Sequence, residues 1–171
     1  QEVNLASCAL KEVTLIESFA NLVRLKLART PLTNIDGLRY CIHIATLNLS
    51  HNRLGACVVG KVFEAMPLLE SLSLEANGIV SIAALQLNVG KLKFLNLKAN
   101  DIAKVDGLDR VPQLREILLD KNKLRAIDRE SLLFVPHLRE LYCEENAIKT
   151  IEGVHVAVQL QKLSFASNRI A

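Results

Sequence analysis

The chain has 171 residues, enough for one ordinary domain with a sizeable core. Half of it is hydrophobic but only 4% is aromatic, so the interior is built from Leu, Ile, Val and Ala. Its 21 basic and 18 acidic residues leave a net charge of +3, too balanced to imply a nucleic-acid or anionic-membrane partner.

No apolar run reaches the roughly 18 residues of a membrane-spanning helix, and no basic-then-apolar leader precedes the first motif. The chain starts with Gln1 and ends just after Ile170. It is therefore read as a piece of a longer protein, with further repeats or caps expected beyond both ends. The four cysteines, Cys8, Cys41, Cys57 and Cys143, form no CxxC pair. That spacing fits packing residues in a reducing, intracellular setting better than a metal or redox site.

The elements recur in chain order. A first, incomplete unit carries Val3, Leu5, Cys8 and Leu10. The next reads Leu22, Leu25, Leu27, Thr30, Leu32, and the third Ile44, Leu47, Leu49, Asn52, Leu54. Then come Leu69, Leu72, Leu74, Asn77, Ile79, and after them Leu92, Leu95, Leu97, Asn100, Ile102. Leu114, Ile117, Leu119, Asn122, Leu124 follow, then Leu138, Leu141, Cys143, Asn146, Ile148. The last unit is Leu160, Leu163, Phe165, Asn168, Ile170. The first slots lie at 22, 44, 69, 92, 114, 138 and 160, giving intervals of 22, 25, 23, 22, 24 and 22 residues.

Each Leu-x-Leu pair has a period of two, which marks a short strand with alternate side chains turned inward. Successive strands are predicted to stack in parallel. The Asn slot closes each strand, with its amide expected to bond backbone groups of its own and the neighbouring coil. Thr30 and Cys8 put weaker donors in the same slot.

Beyond the strand, apolar residues recur every third position. Examples are Val13, Ile16, Phe19; Ile35, Leu38, Cys41; Val105, Leu108, Val111; and Ile151, Val154, Ala157. That spacing predicts tight 3₁₀-like turns. The segments Asp36-Gly37-Leu38, Asp106-Gly107-Leu108 and Glu152-Gly153-Val154 fall at one place in the period. The two longer units, with Phe63 and Met66-Pro67 and with Leu133 and Val135-Pro136, leave room for short α-helices.

The pattern is the leucine-rich-repeat consensus. The 22-residue units resemble the SDS22-like subclass of that family. The expected fold is an α/β solenoid: a right-handed superhelix with a parallel β-sheet on the concave face and 3₁₀ turns or short helices on the convex face. Residues 1–171 are read as a single domain of about eight repeats. The resemblance implies an intracellular scaffold, as in the phosphatase-1 regulatory subunit that names the subclass and in ciliary and axonemal proteins. No Trp is present to mark the phosphatase-binding face of that subunit.

In such a fold the third, fifth, seventh and eighth motif positions face out from the sheet. Phe94, Leu118 and Tyr142 are large apolar groups at these positions on three successive strands, and Leu118 and Tyr142 share a column. Lys98, Glu116, Asp120, Glu140 and Glu144 surround them, giving an apolar centre with a mostly acidic rim. The first full repeat is instead basic at Arg24, Lys26 and Arg29. Exposed apolar clusters mark interaction sites, and this charge arrangement would steer a partner with a basic segment over the later repeats.

The expected function is therefore protein–protein interaction on the concave sheet. The competing reading is the substrate-recognition arm of an enzyme or ligase complex whose catalytic part lies elsewhere. The four histidines, His43, His51, His137 and His155, occupy different repeat positions, and no phosphate loop or nucleophile elbow occurs. Catalysis, a metal and a cofactor are not expected of these residues.

Overall fold

The computed structural model describes residues 1–13, 21–56 and 62–170. Among these described residues, eight three-residue strands form one sheet: β1 (Glu2–Asn4), β2 (Arg24–Lys26), β3 (Thr46–Asn48), β4 (Ser71–Ser73), β5 (Phe94–Asn96), β6 (Glu116–Leu118), β7 (Glu140–Tyr142) and β8 (Lys162–Ser164). They pair in parallel and in sequence order, each hydrogen-bonded to the next. This is the solenoid that the repeat predicts.

The register is set by the middle residue of each strand. Val3, Leu25, Leu47, Leu72, Leu95, Ile117, Leu141 and Leu163 lie opposite one another without a slip. The six between Leu25 and Leu141 are essentially inaccessible to solvent. A one-residue slip would turn that whole row outward, so burial itself fixes the pairing. Val3 is part-buried and Leu163 is 43% exposed, because each of their coils has a neighbour on one side only.

The Asn slots work as a ladder. Asn122 Nδ2 donates to the carbonyl of Leu119 in its own coil and of Leu97 in the preceding one, both at 3.0 Å. Its Oδ1 accepts the Ile102 amide at 3.0 Å. Asn52, Asn77, Asn100, Asn146 and Asn168 likewise donate to a carbonyl of the preceding coil. Thr30 sits buried in that slot, its hydroxyl within hydrogen-bonding distance of both Leu27 O and Asn52 Oδ1, to one of which it donates. Cys8, expected to pack, is exposed in the first coil. Cys41 and Cys143 are buried free thiols, as their slots require.

The opposite face differs from coil to coil. Two of the three acid-Gly segments lie in 3₁₀ turns, Asp36–Tyr40 and Glu152–Val156. The third does not: Gly107 takes a φ of +67°, and its Cα lies against Ala83. There the Asp106 carboxylate accepts the Ala83 amide at 3.0 Å, so the aspartate bonds the neighbouring coil instead of starting a turn. The 24-residue unit forms the one described α-helix, α1 (Arg129–Leu132). The 25-residue unit, also expected to hold one, shows a 3₁₀ turn at Phe63–Ala65, and the rest of its span, with Cys57, lies outside the described residues. Ile16 and Phe19 lie outside them too.

Candidate functional site

The face of the sheet turned away from the core carries the first and third residue of every strand. Because the register does not slip, these residues form two straight columns. One runs Ser71, Phe94, Glu116, Glu140, Lys162, and the other Ser73, Asn96, Leu118, Tyr142, Ser164. Neighbours in a column are one strand spacing apart, about 4.8 Å. Leu118 and Tyr142 are therefore side by side. Phe94 lies one strand before Leu118 and in the other column, a diagonal neighbour within reach of a long side chain. All three are part-buried rather than free-standing.

Tyr142 leans along its own strand, and its hydroxyl donates to Glu140 Oε2 at 2.7 Å. Lys162 Nζ reaches back from β8 to both carboxylate oxygens of Glu140, at 3.0 and 3.1 Å. The Tyr142 hydroxyl and the Lys162 ammonium hold the Glu140 carboxyl below the usual carboxylate range. The same contacts raise the Tyr142 phenol and the Lys162 ammonium. Glu116, one strand back, has no such partners. Burial, together with the Glu140 charge, pushes its carboxyl up, and Lys162 offsets only part of this.

The seventh motif positions form a third row just past the strands, and it is mixed rather than uniformly solvent-facing: Ser50 and Asp120 are buried, Glu75, Lys98 and Glu144 are part-buried, and Ala166 is exposed. Asp120 is only 8% exposed. Its Oδ1 accepts the backbone amide of Glu144 at 2.8 Å, and its Oδ2 lies 3.6 Å from Lys98 Nζ. Ser50 is buried as well, its hydroxyl 2.7 Å from that of Ser73. Among fifth positions, Asn96 is 9% exposed and donates to Glu75 Oε2 at 3.1 Å. Glu144 accepts the Ser164 hydroxyl. For Asp120 the physical reason is that a short acceptor at the strand exit is drawn to a backbone amide of the next coil. Asp120 thus belongs to the scaffold, whereas Glu116 presents its charge.

At the other end, Arg24 is exposed and Lys26 pairs with Glu2 at 2.8 Å across β1 and β2. That contact holds the Glu2 carboxyl below its ordinary value. Arg29, His51 and Arg53 line an open depression of about 390 Å³ at the strand exits, off the sheet face. Motif reading placed Glu140 and Tyr142 on the face but missed Lys162 as their partner. The signal was available, since Lys162 holds the third position of the next unit and so had to fall beside Glu140.

The eighth positions are fixed in an unusual way. Ser7, Arg29, His51, Ala76, Ala99, Lys121, Glu145 and Ser167 all have φ between 52° and 62°. The amides of the six from Arg29 to Glu145 donate to the seventh-position carbonyl of the following coil. The backbone ladder therefore continues past each strand into a left-handed residue, and the face is hydrogen-bonded up to its edge.

Among the described residues no three His, Cys, Asp or Glu side chains are grouped to hold a metal ion, and no helix is long and apolar enough to cross a membrane. Burial pushes the Cys41 thiol up to about 11 and raises that of Cys143 as well, which suppresses their nucleophilic thiolates.

Residues 112–170 match the family model described as Leucine rich repeat. Among solved structures, a leucine-rich-repeat protein of Leptospira interrogans superposes with a TM-score of 0.88 at 26% identity, over 99% of this chain and 44% of that one. Internalin C2 of Listeria monocytogenes gives 0.87 at 20% identity, over 99% of this chain and 73% of its own. The TLR13 chain in its complex with ssRNA13 gives 0.87 at 24% identity, over 98% of this chain and 25% of its own. At identities of 20% and 24% the last two speak for the fold alone. This chain has the fold of a leucine-rich-repeat solenoid, and residues 112–170 carry the sequence pattern of the leucine-rich-repeat family.

Proposed function

We propose that this chain is a protein-interaction scaffold that receives its partner on the sheet face over β5–β7. The observation that carries the reading is the Leu118–Tyr142 pair. Two large apolar side chains stand in register on adjacent strands of the open face, with Phe94 on the diagonal and Glu116 and Glu140 beside them. A folded chain that needed nothing there would place small or polar groups at these positions, as β3 and β4 do with Thr46, Asn48, Ser71 and Ser73. Hydrogen-bonded backbone under the strip lowers the ordering cost of association. Lys98, Asp120 and Glu144 support the strip from its edge, while Arg24 and Lys26 form a separate basic area for an acidic part of the same partner.

The partner is a protein, and the chain works by binding rather than by catalysis. The 22-residue period and the acid-Gly turns support a place in the SDS22-like subclass. Free, buried thiols at Cys41 and Cys143 support a reducing, intracellular setting, cytoskeletal or ciliary as in the scaffolds of that subclass.

The test is a pull-down from cell extract with the wild type and with Leu118→Ala combined with Tyr142→Ala, each checked by a thermal melt. The expected result is a folded double variant that loses the wild-type partners. An unchanged set of captured proteins would remove the strip from the function.

A further inference from the structure

In the column Phe94, Glu116, Glu140, Lys162, one carboxylate is satisfied and the other is not. Glu140 has its cation, Lys162, and its hydroxyl donor, Tyr142. Glu116 has neither an ion pair nor a side-chain hydrogen bond among the described residues. Lys162, the cation whose charge acts on it, is committed to Glu140, and Lys98 and Lys93 pair with Asp120 at 3.6 Å and Glu70 at 2.8 Å. Glu116 is part-buried between Phe94 on one strand and Glu140 on the next, so water and salt screen it incompletely.

We infer that the strip over β5–β7 takes an extended protein segment carrying one Lys or Arg flanked by apolar side chains. The basic group pairs with Glu116, and the flanking residues lie on Phe94 and on the Leu118–Tyr142 pair. This rests on the scaffold reading above and adds the chemistry of the partner.

The chain itself shows how a cation is held in this column. One strand along, Lys162 reaches across the sheet face and places its ammonium on both oxygens of Glu140. A basic side chain from outside would meet the same carboxylate geometry at Glu116, with Phe94 beside it to receive the aliphatic stem or a guanidinium plane. Charge complementarity also excludes the opposite partner. An acidic segment laid here would face Glu116 and Glu140 side by side, and a purely apolar one would cover Glu116 without compensation.

The experiment uses the full chain and a displayed library of random twelve-residue peptides, counter-selected on the Leu118→Ala, Tyr142→Ala double variant. A selected peptide is then measured against the wild type, Glu116→Gln and Lys162→Ala, with melts as a fold control. The same peptide is remade with norleucine at its basic position.

The expected peptides carry a Lys or Arg between apolar residues, and either Glu116→Gln or the norleucine exchange weakens binding about tenfold. The two changes together cost little more than either alone, because they remove the same contact. Lys162→Ala frees Glu140 and leaves affinity equal or higher. Peptides that depend on Leu118 and Tyr142 but carry no basic residue, or bind Glu116→Gln as tightly as wild type, overturn the ion-pair assignment and leave the scaffold reading intact. A library that yields no peptide sensitive to the double variant overturns both.

Discussion

Gly153 lies against the backbone of Asp128 so closely that a Cβ on it would stand 1.9 Å from the Asp128 carbonyl oxygen and 2.2 Å from its carbon. The Gly153 amide donates to Ile127 O at 2.7 Å, which holds the two segments in this approach. Neither neighbour is a side chain that could turn away. Gly153→Ala is expected to destabilise the fold by about 3 kcal/mol through this overpacking. Gly78, with φ of +72° and open space where a Cβ would go, is the control. Gly78→Ala meets only the left-handed backbone preference, about 1 kcal/mol. Urea unfolding of the two variants measures the difference. Equal losses would mean that the coils around α1 are not in the contact described.

Asn122 makes four side-chain hydrogen bonds, two to the preceding coil and two within its own, while its neighbour Leu119 fills the shared interior. Asn122→Ala leaves the Ile102 amide without its acceptor and takes one donor each from Leu97 O and Leu119 O, which Asn100 and Asn146 still reach, and should cost roughly 1–3 kcal/mol. Leu119→Ala opens a cavity and should cost about 2–5 kcal/mol. The two are separable by amide hydrogen exchange. Loss of the Asn122 carboxamide lowers protection at Ile102 beyond what global destabilisation explains, whereas the Leu119 cavity lowers it across the coil without singling out that amide. Uniform loss in both variants would contradict the ladder.

The strands and their register were legible because a two-residue alternation repeated at nearly constant intervals admits only one stacking. The Asn slots were legible for the same reason. The left-handed eighth positions were not. None of Ser7, Arg29, His51, Ala76, Ala99, Lys121, Glu145 and Ser167 is Gly or Asn, so residue type gave no sign of a conformation that the ladder imposes. The site was legible to the level of columns. Leu118 and Tyr142 could be paired on paper, but the fate of each carboxylate depends on side-chain length. Asp120 is short enough to turn back onto the Glu144 amide, and Glu140 is long enough to be reached by both Tyr142 and Lys162. The turn chemistry failed at Asp106-Gly107 because that aspartate is taken up by Ala83 of the neighbouring coil.

The two column carboxylates should respond oppositely to acid. For Glu116 the folded carboxyl is raised by burial and by Glu140, so the folded chain holds the proton more tightly than the unfolded chain. Stability then falls as pH rises from the unfolded carboxylate value, about 4.3, through the higher folded value, and the penalty persists above it. Glu140 is lowered by the Tyr142 and Lys162 contacts. Its contribution is present above the unfolded value and is lost as pH falls through the folded one. Glu116→Gln should therefore melt above the wild type near pH 7, with the gain fading toward about pH 3, below the Glu116 window. Glu140→Gln should melt below the wild type near neutrality, with the deficit shrinking in acid. Melts of the three proteins from about pH 3 to 8, at low and high salt, read both effects. A Glu116→Gln variant less stable than the wild type at neutral pH would mean that this carboxylate already has a favourable partner within the chain, and no room for a cation from outside would remain.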